Sequence, residues 1–428
     1  MNATRVMIGI LAALACASCG GGPSGSMNEP SASASAAPVA PAATAPAAPT
    51  GSSSMATTTA TSPSTPSPAP STPSPPPSSP SASGPPFYKI VEIPRLAATG
   101  SVTANALNDQ GIVVGGLETT GAPRAWMYAQ SSGALNELTL DPSQVGAYAN
   151  GISNSGVIAG SEVPAGGSPL PGFWTATGGA MLLTGQYQSF AQAVAANDNG
   201  TVIGNYGQSG TISSVPLVWT APGYAEATLP GLECDQCTRI NVAASSINNG
   251  GLIVGSSNYD ITSNDGNTTV ASGMHAVEWQ NGAVADLGGL QGAEYSAAYA
   301  ANDSGDVVGG SRTDQSAGAP THAFLYHQGV MTDLGTLAGD STSSANSIND
   351  GGQIVGVSQS DTVSRAFLYE NGQMYDLNAL IDPASPLTGL VSLQEAVGIN
   401  GNGWIVVDGT DSRDPGWTRA FLLIPSQS

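Results

Sequence analysis

The sequence predicts an all-β fold, a seven-bladed β-propeller, from three observations. Charged residues make up only 9% of the chain, against 55 glycines and 31 prolines, a composition that favours short strands joined by turns over long helices. One unit recurs seven times between residues 88 and 428. An extra strand precedes the first unit and the last unit lacks its fourth strand, so the two ends can complete one blade together.

An Asn-x-x-Gly turn marks each repeated unit. The seven turns begin at Asn108, Ser153, Asn197, Asn248, Asn302, Asn349 and Asn400. Successive turns lie 44 to 54 residues apart, a period typical of propeller blades and longer than that of leucine-rich or ankyrin units. Alanine stands four residues before every turn, and another small residue stands two before it. Since side chains alternate along a strand, we expect these residues to share one small face where innermost strands crowd a central axis.

Shorter patterns define the other strands of each unit. The turn leads into two apolar residues and a glycine, replaced by Val407 in the seventh copy, and we expect this second strand to be buried on both faces. The third strand begins with Arg or His followed by Ala, and copies two and three keep only its end. Asn-Gly hairpins at 281–282 and 371–372 lead into the fourth strand.

The two ends of the repeat region complement each other. The seventh copy stops after its third strand, and the extra strand at 88–93 resembles the missing fourth. Pairing of 88–93 with 419–424 would close the ring and remove the exposed edges of an open array. The alternative architecture, an open β-solenoid, would carry distinct caps.

The unit resembles a known extracellular repeat. Ile-Asn-Asp-x-Gly-x-Ile-Val-Gly at 348–356, His-Ala-Phe-Leu-Tyr at 322–326 and Asp-Leu-Gly-Thr-Leu at 333–337 look like the HAF-type repeat of bacterial exported proteins. The likeness is strongest over 275–380 and weaker in copies two, three and seven. It implies an extracellular location and a repeat architecture, and it supplies no catalytic residues.

The chain is strongly acidic, with a formal net charge of −21. Every acid except Glu29, and every Lys or Arg except Arg5, lies in the predicted propeller at 87–428. Such a surface repels phosphate backbones and anionic lipid headgroups. The charge therefore argues against nucleic-acid binding and leaves neutral glycans, cations and basic surface proteins as partners.

Residues 1–19 resemble a bacterial lipoprotein signal. Arg5 supplies the positive start, and residues 6–15 form an apolar stretch too short to span a bilayer. A lipobox cysteine follows, either Cys16, which the preceding Ala-Leu-Ala favours, or Cys19, which a glycine run follows. Ordinary cleavage without lipid is the alternative. We expect an exported protein attached to the outer membrane or cell surface by its lipid alone.

Residues 20–86 read as a disordered linker rich in Pro, Ser, Ala and Thr. Such a composition cannot bury a core. As a flexible coil this segment would reach about 45 Å, enough to hold the folded domain clear of the lipid. A proline-rich recognition site is the competing interpretation.

The turn asparagines are the first candidate ligand-binding residues. They are Asn108, Asn197, Asn248, Asn302, Asn349 and Asn400, and around a propeller axis they would form a ring able to bind a glycan or a cation. The structural interpretation is that each amide bonds its own backbone in an Asx turn. Calcium would need several oxygen ligands close together, and each turn offers one carboxylate, so we expect no metal and no cofactor.

The first residue of the third strand is the second candidate position. It is occupied by Arg124, His275, His322, Arg365 and Arg419. A ring of cations in an acidic protein could recognise a carboxylate-bearing sugar. The structural alternative is that each cation pairs with a nearby acid.

The sequence contains few catalytic signals. Cys234-x-x-Cys237 lies in a loop without a thioredoxin-like context or further zinc ligands, so a local disulfide is the default for an exported protein. We find no nucleophile elbow and no phosphate-binding loop. The sequence thus favours a monomeric, non-catalytic surface module that binds a glycan or an envelope partner. The alternative is a carbohydrate-active enzyme, a hydrolase or lyase, using carboxylates at the channel mouth.

Overall fold

Seven four-stranded antiparallel sheets form the blades of a propeller around a central axis, as predicted. The computed structural model describes residues 85–96, 100–118, 121–175, 178–187, 190–207, 214–232, 241–262, 269–316 and 318–426. The predicted signal region, most of the predicted linker and all four cysteines, Cys16, Cys19, Cys234 and Cys237, lie outside these residues. In the described part, helix is limited to two short 3₁₀ turns, Leu290–Gly292 and Leu377–Leu380.

The strands of each blade follow chain order, with the first strand on the axis. Blade 1 contains β2 (Ser101–Leu107), β3 (Ile112–Glu118), β4 (Arg124–Ala129) and β5 (Ala134–Glu137). Blade 2 contains β6 (Gln144–Ile152), β7 (Ile158–Pro164), β8 (Leu170–Thr175) and β9 (Gly178–Leu182). Blade 3 contains β10 (Ala191–Ala196), β11 (Val202–Gly207), β12 (Ser214–Thr220) and β13 (Ala225–Thr228).

The second half of the ring repeats this arrangement. Blade 4 contains β14 (Val242–Ile247), β15 (Ile253–Thr262), β16 (Thr269–Gln280) and β17 (Ala283–Gly288). Blade 5 contains β18 (Ser296–Ala301), β19 (Val307–Arg312), β20 (Thr321–His327) and β21 (Val330–Gly335). Blade 6 contains β22 (Thr342–Ile348), β23 (Ile354–Gln359), β24 (Ser364–Glu370) and β25 (Gln373–Asp376). Blade 7 contains β26 (Val391–Ile399), β27 (Ile405–Asp411), β28 (Thr418–Pro425) and β1 (Tyr88–Glu92).

Blade 7 combines strands from both ends of the propeller. β1 pairs antiparallel with β28, from Tyr88 opposite Pro425 to Glu92 opposite Phe421, so the predicted pairing of these two segments is observed. Tyr88 is buried in the core cluster shared by blades 6 and 7, whereas Ile93 is buried in the cluster shared by blades 7 and 1. This N-terminal segment is therefore packed into the two blade interfaces that flank it.

The first strand of every blade contains a β-bulge at the same place. In blade 5 the register shifts between Ala298 and Ala300, so that Tyr299 is the extra residue. The equivalent shift occurs in the other six blades. We call the seven extra residues the bulge residues: Asn105, Asn150, Val194, Ser245, Tyr299, Asn346 and Val397.

The bulges correct one prediction about this strand. The alanine four residues before each turn is buried between blades, whereas the small residue two positions later lines the axis. The two do not share one face, because the extra residue shifts the alternation of side chains.

The glycine of the second strand makes room for close contacts. A Cβ at Gly309 would overlap the carbonyl oxygen of Ala297 on the first strand and approach the Phe324 ring to 2.9 Å. Blade 7 has Val407 at this position, opposite Ala396, and its first strand contains a further bulge between Leu393 and Glu395. There the close approach to a first-strand carbonyl falls on Gly409, two residues later.

The third strand is complete in every blade. In blades 2 and 3, where only its end was predicted, β8 pairs with β7 and β12 pairs with β11 along their lengths. Backbone pairing sustains these strands without the His-Ala or Arg-Ala start. The predicted hairpin before β17 is present, with φ of 52° at Asn281 and 80° at Gly282, as a type I′ turn requires.

Candidate functional site

A channel along the propeller axis is the main concave feature that the seven first strands create. The mouth on the side of the Asn-x-x-Gly turns encloses about 210 Å³. A second chamber of about 220 Å³ lies deeper, among the bulge residues. The two share a collar contributed by the residue before the turn in five blades, namely Leu107, Ile152, Ala196, Ile247 and Ile399.

The turn asparagines have both ends of their amides occupied. Asn248 is 8% exposed. Its Oδ1 accepts from the Leu252 N–H at 2.8 Å, as the predicted Asx turn requires. Its Nδ2 donates to the carbonyl oxygen of Asn302 in the next blade at 2.7 Å. Each such side chain therefore closes its own turn and also links two blades.

Six of these inter-blade bonds surround the axis. They run from the side chain of one turn to the backbone carbonyl of the next: Asn108 to Ser153, Asn197 to Asn248, Asn248 to Asn302, Asn302 to Asn349, Asn349 to Asn400 and Asn400 to Asn108. Among the described turns the series is interrupted at Ser153, whose hydroxyl accepts from the Val157 N–H within its own turn. A ligand-binding role for these amides remains a prediction, and it would require buried bonds to open.

Four carboxylates surround the mouth, immediately after the turn asparagines. They belong to Asp109, Asp198, Asp303 and Asp350, and all four residues are exposed. Each accepts a backbone N–H from the preceding blade, as Asp350 does from Asp303 at 2.8 Å. Because no Lys or Arg is among the described residues that line this mouth, its potential is negative and repels anions.

The predicted ring of cations is paired with acids. Arg124 binds Glu137 through two hydrogen bonds of 2.6 Å. The Nδ1 atoms of His275 and His322 lie 2.9 and 3.0 Å from the carboxylates of Asp286 and Asp333. Arg365 binds Asp340 at 2.9 Å and Asp376 at 3.4 Å. In these four blades the structural alternative describes the contacts observed, and ligand binding by the cations remains a prediction.

The motif residues of blade 5 form a continuous clasp. Asp333, which binds His322, accepts the Gly335 N–H at 2.7 Å. The Gly335 carbonyl accepts the Ser343 hydroxyl at 2.5 Å, and Ser343 Oγ accepts the Ala323 N–H at 2.8 Å. The His-Ala-Phe and Asp-Leu-Gly motifs thus join the third and fourth strands to the first strand of the next blade.

His275 is the more enclosed of the two histidines in the ring. Its Nε2 lies 3.2 Å from the Ala293 carbonyl oxygen, and its ring stacks on Tyr259 with centroids 3.9 Å apart. Burial opposes ionisation of Asp286, but hydrogen bonds from His275 and the Gly288 N–H outweigh it and lower the pKa of this carboxyl. Burial, reinforced by the neighbouring carboxylates, raises the pKa of Tyr259 to about 12. Both ring nitrogens of His275 thus lie within hydrogen-bond distance of oxygen atoms of the protein.

Arg419 departs from the pattern of the other blades. Its side chain is 2% exposed and binds Asp414 from the preceding loop at 2.5 Å. Nε and Nη1 have no hydrogen-bond partner within the described residues. The acid at the equivalent fourth-strand position, Glu92, instead binds Arg413 at 3.1 Å. The sequence could not predict this exchange, because the fourth strand of blade 7 comes from the other end of the domain.

The bulge residues line the deeper chamber and were not among the binding residues that the sequence predicts. Their position varies among the seven copies, while the residues on either side of it are always small. That contrast was a readable signal, since a position held constant by packing should not alternate between Asn, Val, Ser and Tyr. Among the described residues, no group of three or more His, Cys, Asp or Glu side chains is placed to hold a metal ion.

Comparison with known proteins supports the fold and leaves the activity open. A family model described as a protein of unknown function, DUF3466, matches residues 230–412, which hold blades 4 to 6 and the first two strands of blade 7. No curated protein matches the sequence. No helix in the part of the chain that the structure describes is long and apolar enough to cross a membrane.

The solved structures that match this chain do so at low sequence identity. The β-propeller domain of the trilobed protease from Pyrococcus furiosus is 8% identical, with a TM-score of 0.52 over 78% of this chain and 96% of that one. An acylaminoacyl peptidase from Pyrococcus horikoshii is 10% identical, with a TM-score of 0.48 over 73% of this chain and 49% of the peptidase. A gluconolactonase from Xanthomonas campestris is 12% identical, with a TM-score of 0.37 over 81% and 96%. At these identities the likeness concerns the fold alone.

Proposed function

We propose that this chain is an exported, lipid-anchored, non-catalytic surface module that binds a glycan or another envelope partner through its axial channel. One observation carries the proposal. The polar side chains that recur in most blades, the turn asparagines and the third-strand cations, are engaged in bonds within the propeller, as at Asn248 and His322. The channel wall, in contrast, carries varied polar side chains at the bulge positions. Such a wall suits recognition rather than bond cleavage.

The placement at the cell surface rests on the N-terminal sequence. A lipobox cysteine, Cys16 or Cys19, followed by a linker at 20–86, would tether the propeller by a flexible coil of about 45 Å. Such a tether leaves the channel free to meet polymers of the envelope. A Cys16→Ser variant that no longer incorporates a fatty-acid label, beside a Cys19→Ser variant that does, would assign the anchor.

A carbohydrate-active enzyme is the second candidate, and the mouth carboxylates favour it. Glycoside hydrolases use two carboxyls about 5–10 Å apart, and the mouth supplies four acids around one opening. All four are exposed, whereas a general acid usually needs burial to raise its pKa. This contrast places the enzyme second.

One experiment separates the two candidates. The full chain is incubated with a panel of glycans and surface polymers, and both retention on the polymer and release of fragments are measured. Retention without cleavage supports the binding module. Cleavage that is lost in Asp303→Asn or Asp350→Asn, and kept in the control Asp314→Asn outside the channel, would establish the enzyme and overturn the proposal.

A further inference from the structure

The bulge residues have the properties of a ligand-binding wall. Each is the extra residue of a β-bulge and so has no ladder partner on the second strand. All seven are half-buried and line the deeper chamber. Bulges of this kind re-aim a side chain, and they are over-represented next to active sites. Here they direct seven side chains toward one axis.

The next blade orients all three asparagines among the bulge residues, and Asn346 also donates to Glu395 and accepts from Ser344. Asn105 Nδ2 donates to the Ala149 carbonyl at 2.7 Å, and Asn150 Nδ2 donates to the Ala193 carbonyl at 2.8 Å. Because the amide is planar, each bond fixes the direction of the attached Oδ1. Neither Oδ1 accepts a hydrogen bond from a described residue, and neither is a closed-off buried atom. The chamber therefore presents two pre-oriented acceptors.

Hydroxyl groups and apolar surfaces complete the wall. The Tyr299 and Ser245 hydroxyls have no hydrogen-bond partner in the described part of the chain. Burial raises the pKa of the Tyr299 hydroxyl. Val194 and Val397 contribute apolar surface to the same chamber. A tyrosine offers both an apolar face and a polar tip, and a hydroxyl both donates and accepts.

We propose that this chamber binds a single neutral sugar residue, held between the Tyr299 ring and the asparagine acceptors. The inference rests on the proposed function and names the ligand class for it. A sugar ring has hydroxyls that donate to Asn105 and Asn150 Oδ1 and accept from Ser245 and Tyr299, and it has an apolar C–H face for Tyr299 or valine. The chamber volume of about 220 Å³ is smaller than the ~300–1,000 Å³ of pockets for drug-sized ligands. It therefore suits one sugar residue rather than an oligosaccharide.

Charge selects neutral sugars over acidic ones. No charged side chain lines the deeper chamber in the described residues, so nothing there would neutralise a carboxylate or sulfate. The four mouth carboxylates add a negative potential at one end of the same channel. Uronic acids and sulfated sugars are therefore excluded for two reasons. Their charge would lose its hydration in the chamber without gaining a cation, and the mouth carboxylates repel it.

The test is calorimetric titration of the full chain with glucose, galactose, mannose, N-acetylglucosamine and glucuronate at millimolar concentrations. We expect at least one neutral sugar to bind and glucuronate not to bind. Tyr299→Phe should weaken binding about tenfold through the lost hydroxyl. Ser245→Phe, which projects a ring into the chamber without removing a protein hydrogen bond, should abolish it. Tyr375→Phe is the matched control, since that hydroxyl bonds Gln373 on an outer strand.

The outcomes separate this inference from the proposed function. Failure of every neutral sugar to bind, or equal binding by Ser245→Phe and wild type with unchanged thermal midpoints, would overturn the chamber assignment. If the full chain is still retained on a polymer in that case, the surface-binding function stands and its site lies elsewhere. If neither sugar nor polymer binds, both proposals fail.

Discussion

Replacing Asn248 by alanine measures how much the inter-blade bonds contribute to stability. The substitution deletes the bond to the Asn302 carbonyl at 2.7 Å and the bond from the Leu252 N–H at 2.8 Å. The Asn302 carbonyl still accepts from the Gly305 N–H. Losing the inter-blade bond therefore costs one net hydrogen bond, about 1 kcal/mol of unfolding free energy. The Leu252 N–H is left buried without its partner, at about 1–3 kcal/mol. We expect Asn248→Ala to lower the free energy of unfolding by about 2–4 kcal/mol.

Two matched variants divide that loss into its parts. In Asn248→Ser the hydroxyl should accept the turn N–H, as Ser153 does at 3.1 Å in blade 2, so only the inter-blade bond is lost, about 1 kcal/mol. Asn249→Ala removes bonds of the exposed neighbour and should cost less than about 1 kcal/mol. Urea unfolding followed by far-UV circular dichroism gives the three midpoints at constant m-value. Equal midpoints for Asn248→Ala and Asn249→Ala would refute the assignment of stability to the buried ring.

Three further predictions address the blades themselves. Gly255→Ala, whose Cβ would overlap the Ala243 carbonyl oxygen, should cost about 2–3 kcal/mol in urea unfolding, while Gly207→Ala, with open space around its Cβ, should be near neutral. Arg365→Ala leaves the buried Asp340 carboxylate without its cation and should cost about 3 kcal/mol, whereas Arg124→Ala breaks an exposed pair and should cost less than about 1 kcal/mol in the same assay. Burial raises the pKa of Glu162, so its contribution to stability is present below the pKa of the unfolded chain, about 4.3, and is lost as pH rises through the folded pKa. Stability measured against pH should therefore fall less steeply in Glu162→Gln, and parallel curves for the two proteins would contradict this.

The repeat pattern predicted the blades because its physical causes are local. The Asn-x-x-Gly turn, the glycine of the second strand and the Asn-Gly hairpin each act within a few residues. The Asx bond from the Leu252 N–H to Asn248 is such a contact, and its geometry follows from residue type. The pairing of β1 with β28 was also predictable, since a missing fourth strand and an extra strand complement each other.

The chemistry of the axis was less predictable. The sequence offers the turn asparagines and the third-strand cations as binding residues. In the structure these side chains bond to groups of other strands or blades, and the packing of those strands and blades decides which partner comes within reach. The Asn248 amide meets a carbonyl 54 residues away, and the Arg419 guanidinium meets Asp414 rather than an acid of the fourth strand. The bulges at Tyr299 and its equivalents follow from strand pairing, and the sequence shows them only as one variable position between two small residues.

By itself, the sequence determined the all-β class, the seven-fold repeat, the acidic surface and the candidate export signal, because composition, period and charge need no neighbours to be read. Only the tertiary structure decided which polar side chains are occupied and which line a cavity. The physical reason is that hydrogen bonds act over about 3 Å, whereas the partners of the turn amides lie a whole blade away in the chain. The packing of the seven blades therefore places the turn asparagines in inter-blade hydrogen bonds. It leaves the variable bulge residues on the wall of the channel.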